Sequence, residues 1–284
     1  MTSASVIIVT YNSEQTIAGC IDSLLNQSRR PEIIVVDNAS KDNTVKVLRG
    51  YGKQIKVVES RDNQGFNDGN VKGVAEASGE VLVFLNPDAT VPVNFVELIC
   101  QSCQDLARGV VGCRTQDATG KPQIGGSLFP TLGSLLYDSS QFQKFFPNSS
   151  VHRNFLMKDW SRKTSRFIDA VPGACFGLRR SVYDQIGGFD TKYFLFFEEY
   201  DLGRSIQRIG LRTYFDSSIV ITHLGHTSTD QIQSDEITKI YHQSRDYYVR
   251  KHHGLIFLVV FKALCRLFNL AWSLRRKLPI GYNS

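Results

Sequence analysis

Residues 5–37 read SVIIVTYNSEQTIAGCIDSLLNQSRRPEIIVVD, and this stretch decides how the chain folds. Residues 5–10 are a short, continuous, β-branched apolar run, the pattern of a strand buried on both faces. Residues 13–27 follow with Ile17, Cys20, Ile21, Leu24 and Leu25 at helical spacing, and Ser13 is the expected N-cap. Residues 33–37 return to the strand pattern. One strand, one helix and a second strand of the same buried kind form a right-handed βαβ unit, and hence part of a parallel sheet.

The alternation continues outward. Residues 41–51 read as a helix, 55–59 as a strand, 67–77 as a helix stopped by Ser78-Gly79, and 80–85 as a fourth strand. Residues 92–106 read as a helix and 110–114 as a strand. Residues 115–167 are rich in Gly, Ser, Phe and Gln and have poor periodicity, so they are expected to form a long insertion with partial helix. Beyond it come a strand at 174–179, helices at 180–186 and 200–208, two strands at 212–215 and 219–222, and a helix from 233 to 253. The expected fold class is α/β, a mostly parallel central sheet with helices on both faces and helices at the C-terminal end.

Composition narrows the function. The chain has 284 residues and a formal charge of +6. Seven Lys or Arg lie between 250 and 277, where there is no Asp or Glu, so the remainder nets −1 (+6 minus +7). The basicity belongs to the tail, which argues against nucleic acid as a partner of the main domain. Six cysteines without framework spacing fit a reducing cytoplasm, and the N-terminus shows no signal-peptide pattern.

In a doubly wound sheet, ligands bind beyond the carboxyl ends of the strands. Three strand ends are polar here: Thr10-Tyr11-Asn12, Asp37-Asn38-Ala39-Ser40 and Asn86-Pro87-Asp88. The turn after the first strand, TYNSEQT, lacks the glycines of a dinucleotide fingerprint, and there is no Walker A sequence. A bound pyrophosphate must then be held another way. A divalent cation on a hard oxygen ligand such as Asp88 is the natural means.

Four segments in order carry a resemblance. They are 5–44, 63–88 (NQGFNDGNVKGVAEASGEVLVFLNPD), 172–190 (PGACFGLRRSVYDQIGGFD) and 196–210 (FFEEYDLGRSIQRIG). Together they resemble the family 2 glycosyltransferases, and more narrowly the rhamnosyltransferase-like branch. The resemblance implies the GT-A fold and inverting transfer from a nucleotide-diphosphate sugar with Mg²⁺ or Mn²⁺. It implies a catalytic domain over 1–230, with a nucleotide-sugar half at 1–114 and an acceptor-side half at 115–230. By the same resemblance Asp37 binds the base, with Thr10, Tyr11 and Asn12 beside it, and Asn63 and Asn70 bond phosphate or ribose. Asn86 and Asp88 stand at the Asp-x-Asp positions, with Asn replacing the first Asp, and Asp88 takes the metal. His223 is the expected second metal ligand, with His226 the alternative. Glu199 stands at the base position, Glu198 being the alternative. Gly173, Ala174 and Cys175 form the loop that leaves room for the donor sugar. L-Rhamnose from dTDP-rhamnose is the expected donor; UDP-linked galactofuranose, glucose or N-acetylglucosamine are the alternatives, as is a non-catalytic nucleotide-sugar-binding protein.

The tail, 231–284, is expected to be helical and membrane-associating. In 255–274 (LIFLVVFKALCRLFNLAWSL), Lys262, Arg266, Asn269 and Ser273 share one narrow helical face and the other faces are apolar. That pattern fits a helix lying in the membrane interface through 250–277, on the inner face of the cell membrane, which points to a lipid-linked glycan acceptor. A helix packed on the protein's own core, or on a second copy in a homodimer, is the alternative.

Overall fold

The computed structural model describes residues 2–225 and 234–277. The first half alternates as expected: β1 (Ala4–Thr10), α1 (Ile17–Leu25), β2 (Glu32–Asp37), α2 (Thr44–Arg49), β3 (Lys56–Glu59), α3 (Phe66–Glu76) and β4 (Val81–Leu85). These four strands are parallel, in the order β3-β2-β1-β4. Side chains alternate between two cores, as a pleated strand requires. Val6 and Ile8 join Ile33 and Val35 in a core capped by α1, while Ile7 and Val9 join Ile34 and Val36 on the α3 side. Helix α3 lies close to β1 because glycines face the sheet. A Cβ on Gly73 would lie 2.4 Å from the Ile7 side chain.

The second half is mixed. β5 (Ala89–Thr90), α4 (Phe95–Cys103) and β6 (Arg108–Gln116) lead into the insertion. There follow α5 (Leu132–Ser139), α6 (Phe142–Phe145), α7 (Ser150–Phe155), β7 (Arg166–Ile168), β8 (Cys175–Arg179), α8 (Arg180–Gln185), α9 (Glu198–Arg208), β9 (Arg212–His223) and α10 (Ser234–Lys277). β8 is antiparallel to β4 and β6, and the sheet continues β8-β6-β9-β5 with β7 also on β9. The sheet is therefore mixed: β3-β2-β1-β4 and the β6–β9 pair are parallel, and β8 runs antiparallel between them. The two strands expected over 212–222 are one strand. The register shifts between Cys113 and Arg114, whose partners are Asp216 and Val220, and this bulge interrupts the apolar pattern.

Local chemistry explains the other differences. α1 starts at Ile17, not at 13, because Asn12 is left-handed (φ 50°) and Ser13 turns the chain, its carbonyl accepting from the Thr16 and Ile17 amides. The insertion orders itself locally. Thr131 and Ser134 cap each other at the start of α5, which packs on α7 and on α10.

Gly65 joins the two halves. Its φ is +94°, and a Cβ there would lie 2.4 Å from the Phe194 carbonyl oxygen, which accepts from the Phe66 amide. Gly65→Ala combines left-handed strain with a backbone clash and should cost roughly 3 kcal/mol. The expected result is a fall in Tm of several degrees in a calorimetric scan.

Candidate active site

The register of the strands builds the site. Thr10 pairs with Asp37 across β1 and β2, so the two strand ends lie side by side. β4 ends at Leu85, and the chain turns through Asn86-Pro87-Asp88 into β5. There Ala89 pairs with His223 and Thr90 with Thr222. This two-residue pairing brings Asp88 against His223 across 135 positions of sequence. Asp88 is buried, and its Oδ1 lies 3.2 Å from His223 Nε2. Its Oδ2 accepts from the Gly225 amide at 3.0 Å. Asn86 Nδ2 lies 3.3 Å from the same His223 Nε2.

One cavity of about 740 Å³ opens over these ends. Nine of the expected residues line it: Thr10, Tyr11, Asn63, Asn86, Asp88, Gly173, Ala174, Glu199 and His223. Five do not. Asn12 braces the loop, accepting from the Lys41 amide and donating its own to Ser40 Oγ. Cys175 is fully buried, because it is already the first residue of β8. Asn70 is 1% exposed and turned inward, and its amide atoms have no hydrogen-bond partner. Asp37 lies below the cavity at 2% exposure. Its Oδ2 accepts from the Ser40 amide, while Oδ1 has no hydrogen-bond partner. Thr10 Oγ1 and Asn38 Oδ1, at the same two strand ends, are also unpartnered. His226 lies outside the described residues.

The fifth is Glu198, and it separates the two glutamates. Glu199 lines the large cavity and also a small chamber of about 80 Å³ that it shares with Asp138, Tyr200 and Tyr241. Glu198 lines neither, and its Oε2 is buried without a partner. Burial raises both carboxyls: Glu199 to about 7, and Glu198 well above the carboxylate range, the Glu199 charge adding to its rise. Burial thus disfavours the charged form of both carboxyls, and of Glu198 the more, since Glu199 lies beside it. Both sit in the first turn of α9, entered through Phe196 and Phe197, which are left-handed (φ 70° and 67°). Two such residues in succession cost about 1–3 kcal/mol each. Edge-on and tilted contacts of their rings with Tyr200, Tyr241 and Tyr248 hold them.

Sequence reasoning missed Gln123, which lies in the insertion. Its Oε1 lies 3.2 Å from His223 Nδ1, and its Nε2 donates to the His223 carbonyl at 2.9 Å. No Lys or Arg is among the described residues that line the cavity. A diphosphate there gains no neutralising side chain from them. Asp88 and His223 offer one hard oxygen and one imidazole nitrogen, which suits Mg²⁺ or Mn²⁺. No third His, Cys, Asp or Glu joins them among the described residues, which leaves coordination positions for a donor's phosphate oxygens.

The family model for glycosyl transferase family 2 matches residues 5–187. The chain belongs to this family and is a glycosyltransferase. It is similar to N-acetylglucosaminyl-diphospho-decaprenol L-rhamnosyltransferase of Mycobacterium tuberculosis (strain ATCC 25618 / H37Rv), 23% identical over 78% of this chain and 76% of the relative. It is also similar to the O-antigen biosynthesis protein RfbC of Myxococcus xanthus, 27% identical over 77% of this chain but only 17% of that protein. Among solved structures it is similar to GalNAc-T7 with UDP, GalNAc and Mn²⁺, with a TM-score of 0.59, 18% identity and coverage of 78% of this chain and 44% of the other. It is also similar to a mannosyltransferase from Pyrobaculum calidifontis in complex with GDP-Man and Mn²⁺, with a TM-score of 0.55, 16% identity and coverage of 94% and 75%. The fold is GT-A.

The protonation of Glu199 predicts a pH profile. If Glu199 is the base, it works only when ionised, so kcat/KM for sugar transfer should rise about tenfold per pH unit up to about 7 and then level. Glu199→Gln should lower kcat by about 10²- to 10⁴-fold and remove that limb, with donor affinity retained. Glu198→Gln should keep both rate and limb.

Proposed function

We propose that the chain is an inverting, metal-dependent glycosyltransferase that moves a hexose from a nucleotide-diphosphate sugar onto a lipid-linked glycan in cell-surface polysaccharide synthesis. The observation that carries this reading is that Glu199 and the Asp88–His223 pair face one cavity, which reaches the strand ends of β1 and β2. The donor's base lies against Thr10 and Tyr11, above the buried Asp37. Its diphosphate lies toward Asn86 and Asp88, and its sugar against the small residues Gly173 and Ala174. Glu199 takes the proton of an acceptor hydroxyl. The hydroxyl oxygen attacks the anomeric carbon from the face opposite the diphosphate. The bond from that carbon to the diphosphate oxygen breaks, the nucleotide diphosphate keeps the electron pair, and the configuration inverts. A Mg²⁺ or Mn²⁺ held by Asp88 and His223 would supply Lewis-acid neutralisation of the leaving diphosphate.

L-Rhamnose from dTDP-rhamnose and a polyprenyl-diphosphate acceptor are supported by the name of the Mycobacterium tuberculosis relative. The membrane reading rests on α10. Gly254 (φ 86°) divides it, and the second part has three faces. Leu258, Phe261 and Phe268 pack inward, Phe268 against Phe142 and Phe145 of α6. Lys262 and Asn269 form a seam, bonded to Asp246 and to the Gln141 amide. Ile256, Val259, Val260, Leu267, Leu270 and Leu274 form an outer stripe, each 47–82% exposed. The helix is long and apolar enough to span a bilayer, but its inner face is committed to the domain. The two readings of the tail, packed on the core and laid on a membrane, therefore describe opposite faces of one helix. Lys251 bridges Asp190 and Asp201, while Arg250, Arg266, Arg275 and Arg276 stay exposed for anionic headgroups. A peripheral enzyme on the inner face of the cell membrane fits this arrangement.

Two measurements test the proposal. Turnover of dTDP-rhamnose on a polyprenyl-diphosphate N-acetylglucosamine acceptor should require Mn²⁺ or Mg²⁺, stop with EDTA and fall at least about 100-fold in Asp88→Ala. Turnover that survives EDTA would reject the metal reading. The double variant Ile256→Glu, Leu267→Glu should no longer co-sediment with phosphatidylglycerol vesicles while keeping its Tm.

A further inference from the structure

We infer that Gln123 is a positioning residue that locks the His223 imidazole as the Nδ1–H tautomer and thereby makes Nε2 a metal ligand. The inference rests on the reading of Asp88 and His223 as the metal pair. It begins with the amide of Gln123, whose orientation is fixed by two contacts. The Nε2 group donates to the carbonyl of His223 itself at 2.9 Å, and Oε1 faces Nδ1 of the same residue at 3.2 Å. Reversing the amide would set Oε1 against the carbonyl oxygen, acceptor against acceptor. Oε1 can only accept, so the proton of the neutral ring lies on Nδ1. Nε2 then carries a lone pair. Its neighbours agree: Asn86 Nδ2, a donor, is 3.3 Å away. The Asn in place of the commoner Asp thus donates to the same Nε2 lone pair that a metal would take, and would yield it to the ion.

The consequence concerns Asp88. Its Oδ1 lies 3.2 Å from Nε2, and in this tautomer both atoms are acceptors. Such a contact is unfavourable by itself and becomes favourable when both atoms face a cation. If the proton could move to Nε2, the pair would close as an ordinary His–Asp hydrogen bond, and a metal would have to displace it. Gln123 blocks that alternative. It is well placed to do so. Its amide donates to the Thr115 carbonyl at the end of β6, beyond a tight turn in which Asp117 and Lys121 pair through their backbones. Partners behind a metal-bound imidazole fix its tautomer and orientation, and their loss weakens metal binding by about 10- to 100-fold.

The test uses the full chain and Mn²⁺ alone, titrated against the six-line electron paramagnetic resonance signal of the free ion, with Tm measured for each variant. Gln123→Leu should raise the Mn²⁺ Kd by about 10- to 100-fold. A second readout needs no metal. Long-range ¹H–¹⁵N spectra of ¹⁵N-histidine protein, assigned with His223→Gln, should show Nδ1–H for His223 in the native chain and Nε2–H in Gln123→Leu. An Nε2–H tautomer in the native chain, or an unchanged Mn²⁺ Kd in Gln123→Leu, overturns the inference and leaves the metal pair standing. Failure of the native chain to bind Mn²⁺, or equal binding by Asp88→Ala, overturns the metal reading itself.

Discussion

β5 has only two residues, Ala89 and Thr90, and its antiparallel pairing with Thr222 and His223 is the constraint on which the site depends. Side chains alternate along a strand, so a slip of one residue would turn His223 to the other face of the sheet. Asp88 would then face Thr222 or Leu224 positions, and neither supplies a nitrogen. Two backbone contacts beside the strand hold the register: Leu224 donates to the Asp88 carbonyl, and Gly225 donates to the Asp88 carboxylate. The residue expected to hold the metal is therefore also part of the clamp that brings its partner to it. Ala89 has no exposed surface, which anchors the pair in the same core as α1 and α4.

The other half of the site is held by a different kind of interaction. Glu199 sits where a helix dipole favours negative charge, yet burial opposes ionisation and prevails, as the upward displacement of both glutamates shows. Keeping two carboxyls in that environment, behind two left-handed phenylalanines, requires a rigid support. Helix α10 provides it. Asp201, one turn beyond the glutamates, accepts from Lys251 and His252, and Asp190 accepts from Tyr247 and Lys251. Ser244 donates to the Leu195 carbonyl inside the strained loop. The helix with the exposed apolar stripe thus begins as the brace of the turn that carries Glu199.

The parallel half of the fold was legible in the sequence because its strands are buried on both faces and its helices have one apolar face each; β1, β2 and β4 differ from expectation only at their ends. The strand-end residues were legible for the same reason, since topology alone sends them to one rim. What escaped has physical causes. The bulge in β9 breaks periodicity, so one strand read as two. Thr131 and Ser134 form their cap without the Glu or Gln that usually signals one. Gln123 acts through a turn closed by backbone bonds, which leaves no hydrophobic pattern. Asn70 read as a ligand residue because it is polar on a glycine-rich helix, but its face of α3 points into the core. In the tail, the sequence pattern put Lys262 and Asn269 on one face but could not divide the apolar remainder into inner and outer faces, because that division depends on Phe142 and Phe145 of α6, more than a hundred positions away in sequence.

The distribution of charge ties these parts together. The chain carries 33 Lys and Arg, yet the described residues of the cavity wall include none of them. Their positions show where the positive charge lies: Lys251 braces α9, Lys262 ties the second part of α10 back to Asp246 in its first part, and Arg250, Arg266, Arg275 and Arg276 lie along the exposed tail. With no cationic side chain among the described residues of its wall, the cavity leaves the compensation of a diphosphate to the Mg²⁺ or Mn²⁺ proposed on Asp88 and His223. On that proposal the state of His223 Nε2 matters, because its lone pair is one of the two protein ligands. The positive charge of this basic protein thus lies on the brace and along the exposed tail, while Asp88 and Glu199 are the acidic residues among the described lining of the cavity.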